Sequence, residues 1–209
     1  MSSHQTSRDT PAKTAYHHGD LALALVQAAQ QLIELGGGAR LSLREAARVA
    51  GVSVAAPYRH FADREALLAA VLAEGFRELA AATDAARQAA PGPMEGVLAV
   101  GMAYVRFAAG HPQTYRMMFG AECDKAAYPE LKEAGQQAFG VLVSAVSACK
   151  AGGFIGPEAD VAQIVLAGWS LSHGLASLHA DGMLEGNLPG GLEPTAAALF
   201  GMLLRGARP

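Results

Sequence analysis

Residues 41–61 (LSLREAARVAGVSVAAPYRHF) gather groups that suit contact with a polyanion. Arg44, Arg59 and, just beyond, Arg64 carry permanent charge, while Ser53, Tyr58 and His60 supply neutral donors suited to phosphate oxygens. Val54 and Ala55 are small and apolar, as contact with a thymine methyl requires. Arg59 is the one long donor on its short segment. It reads either as a phosphate contact or as a reader of a base edge, most simply guanine O6/N7, where it would contribute about 1–3 kcal/mol of discrimination. Tyr58 and His60 read either as phosphate donors or as half-buried anchors to the first helix. Ser42, His18 and Lys13 complete the set expected at a nucleic-acid backbone. Polar base readers are few, so shape and spacing are expected to carry much of any specificity.

Other chemistries find less support. No GxGxxG, GxxxxGK[ST], HExxH or GxSxG string occurs, and catalysis is not expected. Cys123 and Cys149 fit neither a disulfide framework nor a metal knuckle, and a reducing compartment is the simplest reading. His17 and His18 resemble a metal pair only superficially. Adjacent helical side chains point about 100° apart, and no acid or cysteine stands at i+4, so capping or backbone contact is favoured. No metal or cofactor is implied.

The elements that must position these groups are helical. Leu21, Leu25, Ala28, Ala29 and Leu32 recur at helical spacing, and Gly36-Gly37-Gly38 ends that helix. Ser42-Leu43-Arg44-Glu45 has the form of a capping box opening a short helix to Ala50. Gly51 suits the positive φ of a sharp turn, and a second short helix is expected over residues 53–60, exposed and N-terminal part first toward a major groove. The dipole of that helix would favour a phosphate near Ser53. Pro57 forfeits one of its backbone bonds. Asp63 caps a long helix over about 64–83. Further helices are expected over about 94–109, 114–119, 129–150, 158–180 and 194–205, with no strand-length run of alternating β-branched residues.

Composition sets the frame. The chain has 209 residues, 51% apolar and 17% charged, which excludes intrinsic disorder. Net charge is −3, but residues 1–64 hold seven Lys+Arg against five Asp+Glu, and the rest hold nine against fourteen. A basic head on an acidic body suggests that only the head meets a polyanion. The polar start shows no signal-peptide core. Residues 161–180 carry no formal charge. Their length would allow a membrane crossing, but the interrupting polar residues and the lack of flanking Lys/Arg favour a deeply buried helix.

The stretch LSLREAARVAGVSVAAPYRHFADREALLAAV resembles the DNA-binding head of tetracycline-repressor-like (TetR) regulators. Its Leu-Ser-Leu-Arg entry, Gly-Val-Ser turn and Tyr-Arg-His-Phe followed by Asp-Arg-Glu-Ala-Leu-Leu carry the match. Tyr16-His17-His18-Gly19-Asp20-Leu21 is similar to the start of the first helix in one branch of that family. Trp169-Ser170-Leu171-Ser172-His173-Gly174 is similar to that branch's Trp…His-Gly signature. The resemblance implies an all-α fold of about nine helices. It implies a flexible arm over 1–15, a helix-turn-helix domain over 16–63, and a ligand-binding and dimerisation domain over 64–209. It further implies a cytoplasmic homodimeric repressor, released from a palindromic DNA operator by a small, largely apolar effector. A helical DNA-binding or protein-interaction module without an effector is the alternative.

Within the body, Met102, Tyr104, Phe107, Met117, Met118, Phe119, Cys149, Trp169 and His173 are candidate pocket residues, being adaptable or aromatic; the same set reads as ordinary core. His173 reads more readily as a core or interface histidine than as a ligand contact. Ala167, Gly168, Leu171, Gly174, Leu178, Leu199 and Leu203 form the expected dimer face. A ligand that prefers one conformation of the body is expected to displace the long helix after residue 63 and with it the head.

Overall fold

A computed structural model of the chain describes residues 18–187 and 190–207, with side chains from residue 21 onward. Lys13, His17 and the arm over 1–15 lie outside the described residues, as does the side chain of His18. Eight α-helices follow one another: α1 (His18–Gly36), α2 (Leu43–Val49), α3 (Arg64–Ala89), α4 (Pro93–Gly110), α5 (Pro112–Phe119), α6 (Pro129–Ala151), α7 (Val161–Ala180) and α8 (Leu192–Gly206). Two 3₁₀ turns, Gly38–Arg40 and Pro57–Arg59, interrupt the head. No strand occurs among the described residues.

Local chemistry accounts for most boundaries. Ser42 accepts the Glu45 N–H at 3.1 Å and opens α2, Asp63 accepts the Ala66 N–H at 2.8 Å and opens α3, and Asp160 accepts the Ala162 N–H at 2.8 Å and opens α7. The capping box is only half formed, because the Glu45 carboxylate accepts from Arg48 Nε at 2.9 Å instead of turning back to Ser42. Proline stands in the first turn of α4, α5 and α6, where its missing N–H is one of the unbonded donors anyway. Gly51 adopts φ 69° at the turn after α2.

The segment 53–60 corrects the expectation of a second short α-helix. Ala56, Arg59 and His60 donate to Ser53, Ala56 and Pro57, each three residues back. Pro57 has no N–H to donate four residues back to Ser53, and the chain tightens into a turn and a 3₁₀ step. A three-residue 3₁₀ helix has no appreciable dipole, so the phosphate argument at Ser53 falls back on its hydroxyl alone.

Head and body share one apolar core. Leu25, Ala29 and Ile33 of α1, Leu43 and Ala46 of α2 and Phe61 join Leu67, Leu68, Leu72 and Phe76 of α3, with Phe107, Tyr115 and Met118 beyond. The helix α3 is longer than its sequence pattern suggested and runs the length of the body against α4 and α6. The uncharged helix α7 is not deeply buried: 33% of its most apolar window is covered. By length and composition it could cross a membrane, but α4, α6 and α8 pack on it from one side.

Candidate functional site

The head presents a continuous run of exposed side chains. Ser53, Val54, Ala55, Tyr58 and Arg59 are all exposed, Val54 at 52% and Tyr58 at 54%. Val54 and Tyr58 thus leave apolar surface open to solvent on one tight turn. Pro57 and Phe61 are buried beneath them and hold the turn onto α2 and α3. Arg44 and Arg59 are exposed and take part in no ion pair among the described residues. Their charge is therefore directed outward.

Three members of the expected set take different roles. Arg64 donates through Nε to the Leu41 carbonyl at 3.1 Å and through Nη2 to the Gly38 carbonyl at 2.7 Å. It straps α3 to the loop before α2, where the Gly38 carbonyl also accepts the Leu41 N–H, instead of reaching outward. His60 is half-buried with its Nε2 shielded from solvent, beside the Phe61 ring at 6.4 Å; this favours the anchor over the phosphate donor. Ser42 holds its hydroxyl on the first turn of α2.

A cavity of about 510 Å³ lies in the body between α3, α4, α6 and α7. Phe76, Leu79, Val100, Leu142 and Trp169 are its apolar walls. Of the sequence candidates, Tyr104, Met118, Phe119 and Trp169 line it. The other five do not. Met102 packs with Phe200 and Leu175, and Phe107 is buried against His111 at 5.0 Å. Met117 sits under Gly38, and Cys149 is fully buried beside Val146 and Val165. His173 stands behind the cavity wall, 4.5 Å from the Phe119 ring. Helical spacing identifies a buried face without telling a face that fills the core from one that borders a void. The walls missed from α6 had a readable signal, since Lys132, Gln136 and Phe139 follow one another at i, i+4 and i+7.

A polar network backs the cavity. The Tyr115 hydroxyl is 2.7 Å from His173 Nδ1 and 3.2 Å from the Tyr104 hydroxyl. Burial pushes both tyrosine hydroxyls up and His173 down from their ordinary values, so the network is neutral at pH 7. With His173 neutral, one ring nitrogen carries the proton, and the tautomer sets whether Nδ1 or the Tyr115 hydroxyl donates. From this network α5 reaches the head: the Glu34 carboxylate on α1 accepts the Gln113 and Thr114 backbone N–H groups at 3.2 and 2.8 Å.

The outer face of α7 and α8 is apolar and uncovered. Leu166, Leu178 and Met202 are 57%, 45% and 60% exposed, and Ala167 is exposed beside them. Gly168, by contrast, is buried, with Leu142 and Leu203 already at van der Waals distance from any side chain placed there. Gly174 faces open space, and Leu171 and Leu199 are half-buried at the seam between the two helices.

Comparison with known proteins agrees across the chain. Residues 25–71 match the family of bacterial regulatory proteins named for tetR, and residues 97–205 match the tetracyclin repressor-like C-terminal domain. An HTH-type transcriptional regulator of Mycobacterium tuberculosis is 30% identical over 143 residues, 63% of this chain and 61% of that protein. The match thus spans less than two thirds of the curated relatives' length. A Rhodococcus sp. RHA1 protein whose function is not known is 37% identical, covers 94% of this chain and 100% of its own, and superposes with a TM-score of 0.82. A bacterial regulatory protein of the tetR family from Rhodococcus RHA1 shares the fold at 20% identity, covering 90% and 97% of the two chains with a TM-score of 0.67.

Proposed function

The chain belongs to the tetR family of bacterial regulatory proteins, and from that premise we propose that it is a cytoplasmic, homodimeric transcriptional regulator. It binds a palindromic operator through its two heads and is released as a repressor when a small, largely apolar molecule enters the body cavity. The observation that carries this reading is the exposed run Ser53–Val54–Ala55 with Tyr58 and Arg59, flanked by the unpaired charge of Arg44. Such a mixture matches the donor and methyl pattern of a major groove.

The domain division follows the same logic: residues 16–63 meet DNA, and residues 64–209 hold the ligand and the second subunit. Leu166, Ala167, Leu178 and Met202 on α7 and α8 supply the two-fold face, which sets the heads about 34–36 Å apart on successive turns of a duplex. The cavity favours a ligand-responsive regulator over a module without an effector. Coupling runs along two routes. The helix α3 lines the cavity at Phe76 and Leu79 and begins at the Arg64 strap; α5 lines it at Met118 and Phe119 and begins at Glu34 of the head. A ligand that prefers one placement of these helices shifts the population of head spacings, with a coupling of about 1–3 kcal/mol.

Selection of bound duplexes from a random pool by the purified protein tests the reading. The expected result is an inverted repeat with half-sites about one helical turn apart. Recovery of sequences without enrichment, at an affinity equal to that for the starting pool, would overturn it.

A further inference from the structure

The cavity is polarised, and this deepens the effector reading on which it rests. Its walls include two cations, Lys125 and Lys132, and no carboxylate. Both belong to one region, the loop before α6 and the first turns of that helix. Neither lysine forms an ion pair among the described residues. Lys125 Nζ donates to the Gly120 carbonyl at 2.7 Å, which leaves further ammonium protons available. Acids stand in the same stretch, Glu122, Asp124, Glu130 and Glu133, but none of them lines the cavity.

Away from the lysines, and from the exposed Gln136 amide one turn along α6 from Lys132, the hydroxyls of the cavity wall are already engaged. Thr83 Oγ1 donates to the Leu79 carbonyl and Ser172 Oγ to the Gly168 carbonyl, each at 2.8 Å. The Tyr104 hydroxyl is held by Tyr115 and His173. An anionic or other purely accepting group on a ligand would find no free hydroxyl donor there and would lose its hydration uncompensated. From Leu131 to Leu142 the α6 wall spans eleven residues, about 16 Å of helix at the α-helical rise. The cavity therefore combines an elongated apolar bore with a cationic end.

We propose that the ligand is an amphiphilic anion, an apolar chain lying along α6 with its anionic head at Lys125 and Lys132. The half-buried Lys125 is less screened by solvent than the exposed Lys132 and carries more of the attraction to the head, and the apolar walls oppose the reversed orientation. This class is narrower than an apolar effector and runs against the net negative charge of the body as a whole.

The chain has a single tryptophan, Trp169, and it lines the cavity, so its fluorescence reports occupancy directly. Titrations of the full-length protein with dodecanoate and with dodecan-1-ol compare head groups on one chain length. The expected result is tighter binding of dodecanoate, by about tenfold or more, as a charge-assisted contact requires. Lys132→Met and the double variant Lys125→Met/Lys132→Met should shrink that preference stepwise while affinity for dodecan-1-ol is unchanged. The exposed Lys132 makes the single variant safe for folding. Equal or weaker binding of dodecanoate by the wild type, or a preference that survives both lysine changes, overturns the proposal. A parallel gel-shift assay separates the two levels. Operator release by the neutral alcohol with no advantage for the anion sinks the head-group assignment and leaves the regulator standing. Preferential dodecanoate binding by a protein with no specific DNA site sinks the regulator and leaves the ligand class standing.

Discussion

The Glu34 carboxylate accepts the Thr114 backbone N–H at 2.8 Å, so the last turn of α1 caps the first turn of α5. Gln113 donates to the same carboxylate at 3.2 Å. Two otherwise unpaired N–H groups and the positive end of α5 are thus satisfied by a residue of the head. Since Met118 and Phe119 of α5 line the cavity, one short helix touches both ligand space and head.

Replacing Glu34 by alanine removes charge-assisted hydrogen bonds of about 1.5–3 kcal/mol together. The expected outcome is a melting temperature lower by several degrees, at roughly 2–4 °C per kcal/mol for a chain of this size. Ligand affinity at the cavity should hold while the ligand concentration needed for operator release rises. Calorimetry and a gel-shift titration check both; an unchanged ligand response would show that α3 alone carries the coupling.

Arg44 and Arg64 should separate in their salt dependence. Arg44→Ala removes an outward charge, and the slope of log affinity against log salt should fall by about one unit. Arg64→Met breaks the strap to Gly38 and Leu41, so affinity and thermal stability should drop with the slope intact. A slope change at Arg64 would return it to the phosphate backbone.

Tyr58→Phe should weaken operator binding with little effect on stability, because the ring is exposed and only the hydroxyl is lost. Arg59→Ala distinguishes the two readings of that residue. Relaxed preference at one base position, at about 1–3 kcal/mol, marks base readout. A uniform loss across sequences marks a phosphate contact. No effect from either variant would remove the segment from the interface.

Placing glutamate at Leu166 and Leu178 should yield a monomer by sedimentation velocity, since both side chains are exposed in the single chain and would be buried in a dimer. Gly168 is a poor site for this test, because Leu142 and Leu203 pack against it within the subunit. A dimer that survives both charges must use another face.

His173 imposes a pH dependence with a definite sign. Burial lowers its folded pKa below the ordinary histidine value, so the unfolded chain binds more protons between the two values. Its contribution to stability is fully present above the unfolded value of about 6.5 and is lost as pH falls toward the folded one. Protonation also makes both ring nitrogens donors, so Nδ1 can then only donate to the Tyr115 hydroxyl. The melting temperature should fall from pH 7 to pH 5, and His173→Asn should flatten that fall. The carboxylates held low by arginines, Asp84 and Glu193, lose their contribution only at more acid pH.

The sequence by itself determined the starts of α2 and α3 and the turn between α2 and the next segment, because those signals are local. A serine or aspartate side chain caps the turn directly after it, proline tolerates only a first turn, and Gly51 can take the positive φ that the bend after α2 requires. The head's outward residues were legible for the same reason, through one motif of about twenty positions. Tertiary structure alone decided what no local rule encodes. Arg64 turns inward because the fold brings two carbonyls from 23 and 26 residues earlier within its reach. Five of nine pocket candidates fill core because a helix's buried face is apolar whether a void or another helix lies against it. The two lysines become one end of a cavity only when α6 packs against α3, and Glu34 meets α5 only because the chain folds back across a separation of 80 positions. Contacts of that sequence separation depend on the whole packing arrangement, which periodicity and capping do not contain.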